Sequence, residues 1–170
     1  VVGDEAPDRI LVDCRQLVKD LELQEQVVFF GAHGGNALRA FYRECDIFCL
    51  PSRIDQYGDR EGFPNVIAEA MAFGKPVVST KHAGIPEAID QILVDENSVE
   101  QLADALNQVC DSVELRQQMG ERNRAVVEEM FSPANNDRLE EILKTYAKQS
   151  NTQKPENVIN YDNNVDGVKA

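Results

Sequence analysis

Two carboxylates, Glu61 and Glu69, stand eight positions apart in the stretch Glu61-Gly62-Phe63-Pro64-Asn65-Val66-Ile67-Ala68-Glu69. Pro64 suits a first helical turn, because its fixed φ fits there and its missing N–H has no partner to lose. Gly74 supplies the left-handed position that ends a helix, and Pro76 forbids continuation. Val77-Val78 then restarts the chain as a strand. Eight residues of helix advance about 12 Å, so the two acids can address two separated hydroxyl-bearing parts of one elongated ligand. The amides near Asn65 and Val66, at the positive end of the helix dipole, favour a phosphate or carboxylate between them. The same residues also have a plain reading: first-turn glutamates serve the dipole, and Gly-Phe-Pro is ordinary turn chemistry.

Other reactive side chains carry less. Arg53, Arg60 and Lys81 fall on candidate site loops, where solvated surface charge is the competing explanation. Ser52 and Thr80 read as loop or strand-end hydrogen-bonding residues rather than nucleophiles, since no base is placed near them in sequence. The only histidines are His33 and His82, and neither lies beside a cysteine pair, so no metal site is expected. Cys14, Cys45, Cys49 and Cys110 form no Cys-x-x-Cys pair and sit in apolar or helical patterns. They read as buried reduced thiols, and hence imply a cytoplasmic location.

The elements that must position these groups alternate regularly. Residues 1–3 read as a strand end and its loop. Ile10, Leu11, Cys14, Leu17, Val18 and Leu21 recur at helical spacing, predicting a helix over 8–20. A short apolar strand over 27–30 is closed by Gly31 and the turn to Gly35, and Leu38, Phe41 and Tyr42 mark the next helix. Further strands are expected over 47–50, 77–80 and 92–94, with the central helix within 62–73. Ser98 and Gln101 make a capping box for a helix carrying Leu102, Leu106 and Val109. The pattern continues through Leu115, Met119, Val126, Val127 and Met130. A final helix begins at Ser132-Pro133, with Leu139, Ile142, Leu143 and Tyr146 on one face. Strands apolar on both faces and alternating with helices predict an α/β fold, a Rossmann-like parallel sheet with helices on both faces. Ligands of such sheets lie outside the carboxyl ends of the strands. The loops 3–5, 31–35, 51–61 and 81–84 are therefore expected to open on one edge. The chain divides into a domain over 1–148 and a polar tail over 149–170, rich in Asn, Asp and Lys.

Composition narrows the class. The 170 residues suffice for one domain, with 42% hydrophobic residues and a net charge of −13. That charge argues against nonspecific nucleic-acid binding and against a polybasic membrane anchor. There is no transmembrane run of roughly 20 apolar residues and no signal-peptide pattern at the start.

The Glu61–Glu69 stretch resembles the Glu-x7-Glu signature of retaining, nucleotide-sugar-dependent glycosyltransferases of the two-domain GT-B fold (group 1, family four). The resemblance continues through Ala70-Met71-Ala72-Phe73-Gly74-Lys75-Pro76-Val77-Val78-Ser79-Thr80 and Ala83-Gly84-Ile85-Pro86-Glu87. It also covers Asp46-Ile47-Phe48-Cys49-Leu50-Pro51-Ser52 and Leu115-Arg116-Gln117-Gln118-Met119-Gly120, spanning most of 1–146. It implies the C-terminal, donor-binding domain of such an enzyme, here expected to lack its first strand and helix. An Arg and a Lys that family members place after that first strand would then lie outside this chain.

The resemblance assigns roles by position. Glu61 would hydrogen-bond hydroxyls of the donor sugar, as the catalytic position, and Glu69 would bind the ribose hydroxyls. Gly62, Phe63 and Pro64 form the turn approaching the sugar, and Asn65 and Val66 contribute amides to the diphosphate. Gly31, Ala32 and His33 sit where the family holds the base, largely through backbone groups. No metal and no separate cofactor is implied. The expected partners are a nucleotide-sugar donor and an N-terminal acceptor-binding domain, to which any peripheral membrane contact would fall. The wording Gly58-Asp59-Arg60-Glu61-Gly62 resembles members that build exopolysaccharides and cell-surface glycans. Two departures stand out: only Asp90-Gln91 separates Ile89 from Ile92, where members usually have a longer turn, and the loop over 54–60 is longer than the minimal one. Competing readings are a nucleotide-sugar 2-epimerase of the same architecture, a non-catalytic sugar-nucleotide-binding module, and a response-regulator-like domain, in which Glu-x7-Glu has no role.

Overall fold

The computed structural model describes residues 1–3, 13–54, 57–58 and 62–152, which form two compact units, the first over Val1–Glu129 and the second beginning at Met130. In the first unit three parallel strands run in the order β1 (Phe48–Leu50), β2 (Val77–Thr80), β3 (Leu93–Val94). Phe48 pairs with Val77 and Leu50 with Ser79, while Ser79 and Thr80 face Leu93 and Val94. Every residue of β2 is buried, so its alternating side chains need an apolar layer on each face.

Val77 and Val78 show how this is met. Val77 belongs to a core with Tyr42, Ile67, Ala70, Met71, Ile85, Ala88, Ile89 and Val127, and Val78 to a second core with Val94, Ala105, Val109 and Met119. The first face is covered by α2 (Gly35–Glu44), α3 (Asn65–Ala72) and α4 (Ile85–Ala88), and the second by α5 (Val99–Asp111). α6 (Val113–Met130) supplies Met119 to one core and Val127 to the other. The expected parallel sheet with helices on both faces is therefore the fold observed.

Several local expectations shift. α1 is Cys14–Asp20, capped by extended Asp13, whose carboxylate accepts the amides of Arg15 and Gln16, while the expected helical residues 8–12 lie outside the described residues. Residues 27–30 form no strand: Val28 and Phe30 bond to the backbone of Val1, the adjacent Gly31 bridges Val2, and Val28 and Phe30 stay exposed. Pro64 is the residue before the central helix rather than within its first turn. Ser98 caps α5 by accepting the Gln101 amide, but the Gln101 side chain turns to Asp95, accepting from its amide and donating to its carboxylate. None of the four cysteines is in a disulfide, yet Cys14, Cys49 and Cys110 are exposed and Cys45 half-buried, which corrects the buried reading. Among the described residues no helix is long and apolar enough to cross a membrane.

The C-terminal end of α3 is closed by backbone bonds. Gly74 adopts φ +66°; its amide donates to Met71, and the Lys75 amide donates to Ala70, the paired bonds of a Schellman cap. The Lys75 carbonyl accepts Asn123 Nδ2 at 2.9 Å, and Asn123 is buried. Gly120 of α6 packs directly on this turn, so a Cβ there would stand 2.1 Å from the Gly74 carbonyl oxygen. In the second unit α7 (Pro133–Thr152) begins where Ser132-Pro133 predicts, Asn135 Nδ2 donating to the Met130 carbonyl. Ile142 and Leu143 are exposed on it.

The Gly120 contact makes a stability prediction. Gly120→Ala must push α6 from the α3 terminus, a forced repacking that costs about 1–3 kcal/mol or more. Thermal unfolding should show a midpoint several degrees lower; an unchanged midpoint would mean that the two helices do not meet this closely.

Candidate functional site

The carboxyl edge of the sheet is assembled by bonds between consecutive strand-to-helix connections. At the end of β2, Ser79 Oγ donates to the Leu50 carbonyl at 2.6 Å and Thr80 Oγ1 to the Ser52 carbonyl at 2.5 Å. These hydroxyls hold the chain leaving β1 beside the chain leaving β2, the hydrogen-bonding role expected of Thr80. Glu96, just beyond β3, ties in the third connection. Its Oε2 accepts the Ile54 amide at 3.0 Å, and its Oε1 lies 2.7 Å from Nδ1 of His82, which is buried to 1% exposure. An ionised carboxylate only accepts, so Nδ1 carries the proton. Lys81 reaches Asp95 at 2.8 Å on the exposed rim, and this partner holds the Asp95 carboxyl below its ordinary range.

The turn leading into α3 docks on the same edge. The Gly84 amide donates to the Gly62 carbonyl at 2.8 Å, and a Cβ on Gly84 would come within 3.1 Å of that oxygen. Gly62 is exposed, Phe63 half-buried and Pro64 buried, so the turn is anchored by its rings and presents its backbone. α3 has no side-chain cap, and Asn65 and Val66 in its first turn are exposed. Glu61 and Arg60 lie outside the described residues. Glu69 is exposed on α3 and accepts a hydrogen bond from the Tyr42 hydroxyl of α2 at 2.8 Å. Tyr42 is buried, and burial first, then this carboxylate, raises its phenol well above the ordinary value of 10.0, keeping it a donor.

The residues expected around the base form a separate patch. Gly31 has φ +75°, and its carbonyl accepts the Gly3 amide. Ala32 and His33 are exposed; His33 Nε2 is 3.1 Å from the Phe30 carbonyl and its ring leans on Phe41. This patch leads into α2, whose Tyr42 touches Glu69, so the two groups are joined through one helix. Arg53 is exposed beside Ile54. Sequence reading missed Tyr42, His82 and Glu96 as parts of this edge. The available signal for Tyr42 was a hydroxyl on an apolar helix face, which needs a buried partner.

With that geometry in view, the comparisons decide the family. The model for "Glycosyl transferases group 1" matches residues 12–126. The chain belongs to this family. Among curated relatives it is 40% identical over 96 residues to the putative colanic acid biosynthesis glycosyltransferase WcaL of Escherichia coli K12, covering 54% of this chain and 24% of that one. It is 42% identical over 73 residues to the amylovoran biosynthesis glycosyltransferase AmsK of Erwinia amylovora, covering 43% and 18%. The chain thus spans about a quarter of the length of these relatives. Among solved structures, Anabaena HepE in complex with UDP and glucose matches with TM-score 0.71 at 24% identity, covering 85% of this chain and 39% of that one. The C-terminal domain of the group 1 glycosyl transferase LpcC from Francisella tularensis matches with TM-score 0.60 at 29% identity, covering 70% and 60%. The fold is that of GT-B group 1 glycosyltransferases.

The Glu96 bridge generates its own prediction. Glu96→Ala leaves the Ile54 amide and buried His82 without this partner, so stability should fall by about 1–3 kcal/mol. Hydrogen exchange at the Ile54 amide should accelerate. Unchanged exchange there would remove Glu96 as the tie between the connections.

Proposed function

We propose that this chain is the donor-binding half of a retaining glycosyltransferase using a nucleoside-diphosphate sugar, acting in the cytoplasm on cell-surface polysaccharide or glycoconjugate. The observation that carries the reading is the start of α3, which no side chain among the described residues caps, in a chain of this family, with Glu69 about one turn further along the same helix. WcaL and AmsK are named for colanic acid and amylovoran biosynthesis, and HepE was solved with UDP and glucose, which supports this donor and product class.

In this reading Asn65 and Val66 present amides to the diphosphate, whose negative charge grows as the bond between sugar and phosphate oxygen breaks. Helix amides take the place of a metal, and no cofactor is required. Gly62, Phe63 and Pro64 bring backbone against the sugar, and Glu61 accepts its hydroxyls in charge-assisted bonds. Glu69 accepts the ribose diol. Gly31, Ala32 and His33 hold the base through backbone groups and the exposed imidazole face. The acceptor hydroxyl forms the new glycosidic bond from a second, N-terminal domain, and the nucleoside diphosphate departs.

Two tests follow. The 170-residue chain alone should show no transfer, because the reactants must be held between two domains; robust turnover by it would overturn the division of labour. In the full-length protein, Glu61→Gln should lower kcat by on the order of tenfold to a hundredfold with little change in donor KM, because its charge matters most as positive character develops on the sugar. Glu69→Gln, remote from the breaking bond, should raise donor KM by about tenfold and leave kcat nearly intact. The assignment fails if Glu61→Gln keeps full turnover, or if Glu69→Gln abolishes turnover at constant KM.

A further inference from the structure

Glu69 is an exposed glutamate, and such a side chain ordinarily samples several rotamers. Here it does not hang free. Its Oε2 accepts the Tyr42 hydroxyl at 2.8 Å, and the tyrosine giving that bond is itself fixed. Tyr42 is 4% exposed. It stacks on Phe73, which follows α3, with centroids 5.6 Å apart, and leans on Phe48 of β1 at 5.9 Å. The phenol oxygen therefore stands at a place set by the sheet and by the end of the helix that carries Glu69.

We infer that Tyr42 is a positioning residue that pre-orients the Glu69 carboxylate to accept a ribose diol, and so sets the preference for ribonucleotides. The inference rests on the proposed role of Glu69. A carboxylate offers about four acceptor positions on two oxygens, so one bond from Tyr42 leaves room for two adjacent hydroxyls. What the bond removes is the freedom that Glu69 would otherwise lose on binding. Because the phenol is held above its ordinary range by burial and by Glu69 itself, it remains a donor throughout the neutral range and does not become a repelling anion. The plain alternative is that a buried tyrosine hydroxyl found the nearest acceptor and does nothing more.

A ribose-specific readout separates the two. Binding of UDP, GDP and ADP to the full 170-residue chain is measured by calorimetry or ligand-observed NMR at low salt, and the tightest is compared with its 2′,3′-dideoxy analogue. Tyr42→Phe keeps the ring and its stacking and should weaken the ribonucleotide about three- to tenfold while leaving the dideoxy analogue unchanged. Adding Tyr42→Phe to Glu69→Ala should have no further effect. Equal weakening of both probes, or no weakening of either, overturns the positioning role while leaving the ribose assignment standing. A Glu69→Ala chain that keeps its full preference for ribose over dideoxyribose overturns the assignment and this inference together, as does a native chain that binds none of the three. Should Tyr42→Phe fail to fold, Glu69→Asp shortens the arm by one methylene and draws the carboxylate from Tyr42. Ribose preference retained in full by that variant overturns the inference.

Discussion

Everything here hangs on β2 being buried along its whole length. A strand covered on both faces must satisfy each polar group within the protein, since no water reaches it. The ladder to β1 and β3 serves the backbone, and Ser79 and Thr80 send their hydroxyls to carbonyls of the chain leaving β1. The bonds that make burial tolerable also fix the first residues of the carboxyl edge. Burial of Val77 and Val78 on opposite faces demands helices on both sides, and the connections to those helices are what the edge presents. Core and site are consequences of one strand.

The edge must also overcome an adverse field, because the chain carries a net charge of −13. Screening limits that repulsion to about 8 Å at physiological ionic strength, so groups in contact with an anion decide its fate. Lys81 is paired with Asp95 and contributes little net positive charge. Backbone amides at the start of α3 are fixed dipoles that no carboxylate in the first turn of that helix neutralises, since it contains no acid. Under the proposed reading the local arrangement supplies attraction at contact, and the wider acidic surface excludes polyanions with no matching diphosphate geometry.

Local rules found what local chemistry determines. Val77–Thr80 was legible as a strand to the residue, because a β-branched run after Gly74 and Pro76 has few alternatives. Gly74 was legible as a left-handed helix terminator, and Ser98 as a cap. Several misses concern partners distant in sequence. Gly120 reads as a small cost inside a helix until the Gly74 carbonyl is seen against it. Residues 27–30 have strand composition, yet the described chain pairs their backbone with Val1 and forms no strand there. Cys14, Cys49 and Cys110 lie in helical or apolar patterns, but their own positions face outward. Of the candidate site, the Gly62–Val66 turn and Glu69 were visible as a motif, whereas Tyr42 and Glu96 act across 27 and 42 positions.

The helix starts carry a contrast that packing does not require. α1 is capped by Asp13 and α5 by Ser98, each side chain accepting first-turn amides. α2, α3 and α4 begin at Gly34, Pro64 and Gly84, and none has a side-chain cap. A missing Ser, Thr, Asp or Asn cap costs about 1 kcal/mol where no other acceptor arrives. The uncapped starts follow three of the four connections expected to face ligand, and α1, after the fourth, is capped. For α3 the asymmetry runs along a single helix, since its far end is closed by Gly74, Lys75 and Asn123. Among the described residues no side chain meets the first amides of α3, and an anionic ligand there would supply acceptors.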